Sequence, residues 1–263
     1  KSVSTGTEDI IIGGLAGDAL QGGERNVAIG TYALSSEDGD GYNVAVGHSA
    51  LLNQNAGATA YNVAVGYSAG SQVSTGVNNT LIGGLAGDAL TTGTNNVAMG
   101  YGALGSEDTG GQNVAIGVNA LNTANYDGNG LNVAVGYNAG VLVSTGIQNV
   151  LVGGLAGDAL TTGGYNVAIG GQALSAEDGN GRNIAIGYSA LRDQNAGAEA
   201  YNIAIGFDTG KLITTGNENV LIGGLAGDAL TTGSMNVAVG YSALSTEDGD
   251  GRNVAIGHQA LQA

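Results

Sequence analysis

The sequence predicts an all-β fold, a parallel β-solenoid or β-roll of about 15 coils running through residues 1–263. Its first support is a recurring string of the form Asn-Val-Ala-Ile-Gly. Its second is a composition of 51 glycines with no proline, no tryptophan and one phenylalanine, which describes no ordinary globular core. The third is the alternation inside each string, as in Val97, Ala98 and Met99 or Val114, Ala115 and Ile116, which has the period of two of a strand and no helical spacing.

Aligned on that string, coils begin at Asp9, Asn26, Asn43, Asn62, Asn79, Asn96, Asn113, Asn132, Asn149, Asn166, Asn183, Asn202, Asn219, Asn236 and Asn253. The starts advance in steps of 17, 17, 19 and 17 along the chain, and the cycle begins again at Asn79, Asn149 and Asn219. Four coil types therefore follow one another in fixed order within a 70-residue super-repeat. The super-repeats cover 9–78, 79–148, 149–218 and, in part, 219–263 of one continuous array. A coil this short cannot bury its apolar side chains alone, and stacking supplies the core. Both ends interrupt a coil, so the expectation is an internal section of a longer fibre.

Each column of the stack then takes a role. The residues flanking the central alanine are Val or Ile in nearly every coil, Thr80 and Met99 excepted, and are expected to face inward. The next residue is always glycine, among them Gly30, Gly47, Gly66, Gly83, Gly100 and Gly117, which implies a turn with positive φ or a backbone approach too close for a Cβ. For the Asn column two readings stand, an amide ladder from coil to coil and a simple turn preference. The central column is Ala in 11 coils and Ile or Leu in the others. With its neighbours inward, alternation sends it outward, so Ala28, Ala45, Ala64, Leu81, Ala98, Ala115, Ala134 and Leu151 are expected to form a stripe against neighbouring chains. A second small-residue column, Ala33, Ala50, Ala69 and onward with Thr209 its exception, is expected to admit a neighbouring backbone. On this reading Ala115→Asp and Ala134→Asp together disrupt the assembly.

Charge and composition narrow the function. Six Lys and Arg against 22 Asp and Glu give a formal net charge of −16, which argues against nucleic acid as a partner. Without cysteine there is no disulfide or thiolate chemistry. No apolar run reaches the roughly 20 residues of a membrane span.

The strings Asn95-Asn96-Val97-Ala98-Met99-Gly100 and Gln112-Asn113-Val114-Ala115-Ile116-Gly117, repeated along the whole chain, resemble the head repeats of trimeric autotransporter adhesins. They are also similar to the repeats of bacteriophage tail fibres, where Ala-Ile-Gly is followed by Ala-Leu and a Thr-Thr-Gly turn. This resemblance implies a left-handed parallel β-roll, three chains side by side, displayed on a bacterial or virion surface for attachment. Asn replaces the adhesin motif's Ser before Val, Ala replaces its closing Ser, and the coils here are longer.

Candidate chemistry is sparse. Acidic turns at Glu37, Asp38 and Asp40, and again at Glu247, Asp248 and Asp250, place clustered oxygens where calcium can bind, while a solvated acidic loop is the plainer expectation. Asp18, Asp88, Asp158 and Asp228 recur in Gly-Gly-Leu-Ala-Gly-Asp-Ala-Leu, which resembles a calcium-binding nonapeptide but occurs only once per super-repeat, and each reads as a turn acceptor. His48 and His258 share a column with Tyr67, Tyr101, Tyr137, Tyr188, Tyr241 and Phe207, an aromatic side rather than a metal site. No cofactor and no catalytic set is expected. The reading is a structural shaft or head segment of an extracellular fibre or adhesin, a homotrimer. The alternative is a glycan- or receptor-binding tail-fibre module, with ice or calcium binding as a lesser one; Thr91-Thr92, Thr161-Thr162 and Thr231-Thr232 are too sparse for an ice-binding array.

Overall fold

A computed structural model describes residues 7–39, 41–179, 181–246 and 251–262. Two compact units divide the chain between Leu131 and Asn132, at the start of a coil, and each is a β-solenoid. The first, Lys1–Leu131, carries β1 (Ile10–Ile12), β2 (Val27–Ile29), β3 (Val44–Val46), β4 (Val63–Val65), β5 (Thr80–Ile82), β6 (Val97–Met99) and β7 (Val114–Ile116). The second, Asn132–Ala263, carries β8 (Val133–Val135), β9 (Val150–Val152), β10 (Val167–Ile169), β11 (Ile184–Ile186), β12 (Ile203–Ile205), β13 (Val220–Ile222), β14 (Val237–Val239) and β15 (Val254–Ile256). The described residues contain no helix.

Within each unit every strand pairs in parallel with the next, column on column, as in Ile10↔Val27, Ile11↔Ala28 and Ile12↔Ile29. The longest coil type keeps that register: β3 meets β4 at Val44↔Val63, Ala45↔Ala64 and Val46↔Val65, because its two extra residues are taken up away from the strand. Bonds between coils continue beyond the strand, for instance from Leu104 N–H to Ala120 O (3.0 Å) and from Gln112 N–H to Thr94 O (3.0 Å). Within each unit each coil is therefore held to the next around its circumference, although only three of its residues form a strand.

The glycine column behaves as its sequence implies. These glycines have φ near +135°, and a Cβ on Gly83 would stand 2.5 Å from the carbonyl oxygen of Gly100 in the next coil. Gly30, Gly47, Gly66 and Gly100 meet the following glycine's carbonyl in the same way, and Gly117 shares the same φ.

The Asn column is a ladder, mainly of side chain to backbone, with amide-to-amide bonds from Asn113 to Asn96, Asn219 to Asn202 and Asn236 to Asn219. Asn79 Oδ1 accepts from the backbone N–H of Asn96 at 3.0 Å, Asn96 Oδ1 from that of Asn113 at 3.0 Å, and the series continues in the second unit. The amide nitrogen meanwhile crosses its own coil: Asn79 Nδ2 donates to Gly93 O and Asn149 Nδ2 to Gly163 O, both at 2.9 Å. One side chain closes its coil and joins it to the next.

The assignment of faces is the reverse of the sequence expectation. The expected interface residues Ala28, Ala45, Ala64, Leu81, Ala98, Ala115, Ala134 and Leu151 are all completely buried inside their own coils. The second small column, from Ala33 and Ala50 to Thr209, lies inside as well, and the Thr209 hydroxyl donates to Gly223 O at 2.6 Å. None of these residues can touch another chain, and an Asp at Ala115 or Ala134 would strike the core. The physical reason is the narrowness of so short a coil. Asn96, Ala98, Ala103, Leu104 and Glu107 together fill the interior of one coil, and with Leu104 in place a β-branched side chain at Ala98 would have nowhere to go. Val and Ile therefore point outward.

Core volume is balanced between columns. Where the strand's central residue is Leu, as at Leu81, Leu151 and Leu221, the residue six positions later is Gly87, Gly157 or Gly227; where it is Ala in the second and third coil types, Leu34, Leu51, Leu104 or their equivalents stand there. A Cβ on Gly87 would lie 2.8 Å from Leu81 Cδ2, and one on Gly227 3.0 Å from Leu221 Cδ2. The leucine occupies the space that the glycine leaves.

Candidate functional site

With alanine inside, the outer face of the sheet becomes the feature to explain. Two columns of Val and Ile run along it, broken by Thr80 and Met99, and Val65, Met99, Ile169, Ile205 and Ile222 are each more than a third exposed. No charged residue belongs to these strands or to the glycine column beside them. In a chain of net charge −16 this makes an uncharged apolar strip.

Beside it, directly after the glycine column, runs the aromatic row. Its rings stack from coil to coil: His48 on Tyr67 with centroids 5.5 Å apart, Tyr188 on Phe207 at 5.7 Å and Tyr241 on His258 at 5.5 Å, the ring planes inclined by 19°, 14° and 18° respectively. Both histidines thus sit in the row as ring partners. The first coil type always contributes glycine here, Gly14, Gly84, Gly154 and Gly224, and Thr31, Val118 and Gly171 break the row in other coils. Tyr67, Tyr101, Tyr137 and Phe207 are each more than half exposed.

A second ring column precedes the Asn ladder. Arg25 lies over Tyr42, Tyr42 packs against Tyr61, and Arg182 lies between Tyr165 and Tyr201. Arg25 also pairs with Glu8 at 2.6 Å, and Arg182 with Glu199. Among the described residues few cations are left for a ligand, because Arg192 pairs with Asp193 and Lys211 with Asp208 too.

Of the proposed calcium ligands only Glu37 and Asp38 lie among the described residues, and those two do not converge. Glu37 is completely buried while Asp38 is exposed, so the two carboxyls of that turn face opposite ways. Asp40, Glu247, Asp248 and Asp250 lie outside the described residues. Among the described residues no three His, Asp or Glu side chains converge as metal ligands. The equivalent glutamate of the next super-repeat, Glu107, turns inward too and accepts from the backbone N–H groups of Gly110 (2.6 Å) and Tyr126 (3.2 Å). Burial is the largest influence on its carboxyl and raises its pKa above the ordinary range, with Asp108 adding to the rise. Desolvation likewise raises Asp88, Asp158 and Asp228. The first threonine of two of the pairs is committed to the ladder, Thr91 and Thr161 donating their hydroxyls to Asp108 O and Asp178 O.

Sequence reasoning missed the inward glutamates, although their column contained the signal. The residue eleven positions after the Asn is Leu20, Glu37, Gln54, Val73, Leu90 and Glu107 in turn, and a glutamate alternating with leucine and valine marks an interior position. Comparison with family models, with curated proteins and with solved structures finds no match to this chain.

Proposed function

We propose that this chain is a structural segment of an extracellular fibre or adhesin, in which identical chains associate through the Val and Ile strip. The observation that carries the reading is the strip itself, two apolar columns facing outward with no charge among them. Copies that each carry −16 repel over most of their surface, so an uncharged strip is where they can approach. Shallow burial of many Val and Ile side chains, at roughly 25 cal/mol per Å² of apolar area, then favours association. The count of three follows the resemblance to trimeric adhesin heads. The role is reach and display at a surface, with no catalytic step, no cofactor and no membrane span.

The test is sedimentation equilibrium of the wild type beside Ile205→Asp/Ile222→Asp. Both side chains point away from the core, so the variant should keep the strand signal in circular dichroism while its mass falls from trimer to monomer. A monomeric wild type at tens of micromolar would sink the proposal. The aromatic row favours a second reading, a glycan-binding module.

A further inference from the structure

The geometry points to a glycan-binding slot at each place where one glycine interrupts the aromatic row. Two such places have the same construction. Tyr67 and Tyr101 flank Gly84 in the first unit, and Phe207 and Tyr241 flank Gly224 in the second. The ligand class we infer is a neutral pyranose oligosaccharide, one sugar ring held between two aromatic rings.

The dimensions follow from the stack. Coils in register advance by the spacing of hydrogen-bonded strands, so rings two coils apart are separated by about 10 Å. The backbone keeps that step at the slots themselves: Leu85 N–H bonds to Tyr67 O at 2.9 Å and Gly102 N–H to Gly84 O at 3.0 Å, with the same pattern at Leu225 to Phe207 and Ser242 to Gly224. A ring placed midway has a centroid about 5 Å from each wall, inside the range over which ring faces make contact. A flat aromatic ligand in face contact with one wall would leave the other bare. A chair-shaped sugar presents axial C–H groups to both. The glycine floor carries no side chain of its own, and the following tyrosine leans over it, its Cδ2 lying 3.5 and 3.6 Å from where a Cβ on Gly84 or Gly224 would stand. The interruption at Gly154 is different, because Gly154 and Gly171 are consecutive in the column and put three coil steps between Tyr137 and Tyr188. It offers single walls only.

The lining decides the charge of the ligand. Ile82 and Leu85 flank the first slot and Ile222 and Leu225 the second; the one cation near the second, Lys211, is already paired with Asp208 beside Phe207, so neither slot offers an unpaired cation to an acidic sugar. The chain's net charge of −16 repels polyanions further. The tyrosine hydroxyls at the rims supply the polar contacts that a neutral sugar needs.

The experiment titrates maltohexaose and chitohexaose into the chain, in whatever association state it adopts, with calorimetry and saturation-transfer NMR as readouts and polygalacturonate as the anionic control. The informative variant is Gly84→Tyr/Gly224→Tyr. It places in each slot a residue that the same column already carries at Tyr67 and Tyr101, and so plugs the slot while extending the row. The expected result is saturable binding of at least one neutral oligomer, weakened tenfold or more by the plugs. Tyr101→Leu/Phe207→Leu, which removes one wall without filling the gap, should weaken binding similarly. Binding of neither oligomer, binding unchanged or strengthened by the plugs, or equal binding of polygalacturonate would each overturn the inference.

Discussion

The side chain of Asn149 illustrates how much of this fold rests on one residue type. Its Oδ1 accepts from Asn166 N–H at 2.9 Å, its Nδ2 donates to Gly163 O at 2.9 Å, and its own N–H donates to Asn132 Oδ1 at 2.8 Å. All three bonds are buried, so Asn149→Ala leaves one donor and one acceptor without partners, at about 1–3 kcal/mol each. We expect a loss of about 2–4 kcal/mol, measured by chemical denaturation, with hydrogen exchange of the Asn166 amide accelerated more than that of residues several coils away. An unchanged Asn166 exchange rate would show that the ladder contributes nothing. The turn glycines make the same point sterically, since the next coil's carbonyl lies where a Cβ would stand. Less visible in the sequence are the non-glycine residues at φ of about +60°, such as Arg25, Leu85 and Tyr165, in which three columns adopt a left-handed conformation. Such residues cost of order 1–3 kcal/mol each, and here the bonds between coils hold them in place.

A single coil shows why the strand was legible and its orientation was not. The period of two in Val97-Ala98-Met99 separates two faces, and nothing in that triplet says which one is inside. Ranking by hydrophobicity puts Val inward; the width of the coil puts Ala98 inward. The deciding signal was the covariation of Leu81 with Gly87 against Ala98 with Leu104, which only an enclosed space requires. That complementarity can be tested by exchange in the second unit. Leu221→Ala opens a cavity and should cost about 2–5 kcal/mol, while Gly227→Leu forces a side chain onto both Leu221 and Leu230 and should cost about 1–3 kcal/mol, with backbone strain at φ +58° in addition. Together they recreate the pairing of Ala238 with Leu244, where leucine already holds φ +56°. The double variant should be more stable than the sum of the single losses by about 1 kcal/mol or more in thermal or urea unfolding. Strict additivity would mean that the two columns do not share one space.

Across the whole molecule, buried and half-buried carboxyls contribute a pH dependence opposite to that of salt-bridged ones. In Glu107, Asp88, Asp158 and Asp228 desolvation dominates and the folded-state pKa lies above the ordinary value. Between the ordinary and the raised pKa the folded chain binds more protons than the unfolded one, so stability is greatest in mild acid and declines as pH rises through the raised values. The net charge of −16 acts in the same direction, since protonation relieves self-repulsion. Melting temperatures should therefore rise as the pH is lowered from neutrality into the range where these carboxyls protonate, the reverse of a protein stabilised by buried ion pairs. Glu107→Gln isolates the most deeply buried of the four. Gln54 and Gln194 already occupy this column in other coils, fully buried, and the amide oxygen can keep the bonds from Gly110 and Tyr126 N–H without carrying a charge. The variant should melt higher than wild type at pH 8, match it near pH 4, and show a shallower slope between. If its slope equalled that of the wild type, the acid preference would belong to surface repulsion alone, and a wild type whose stability rose with pH would remove both causes.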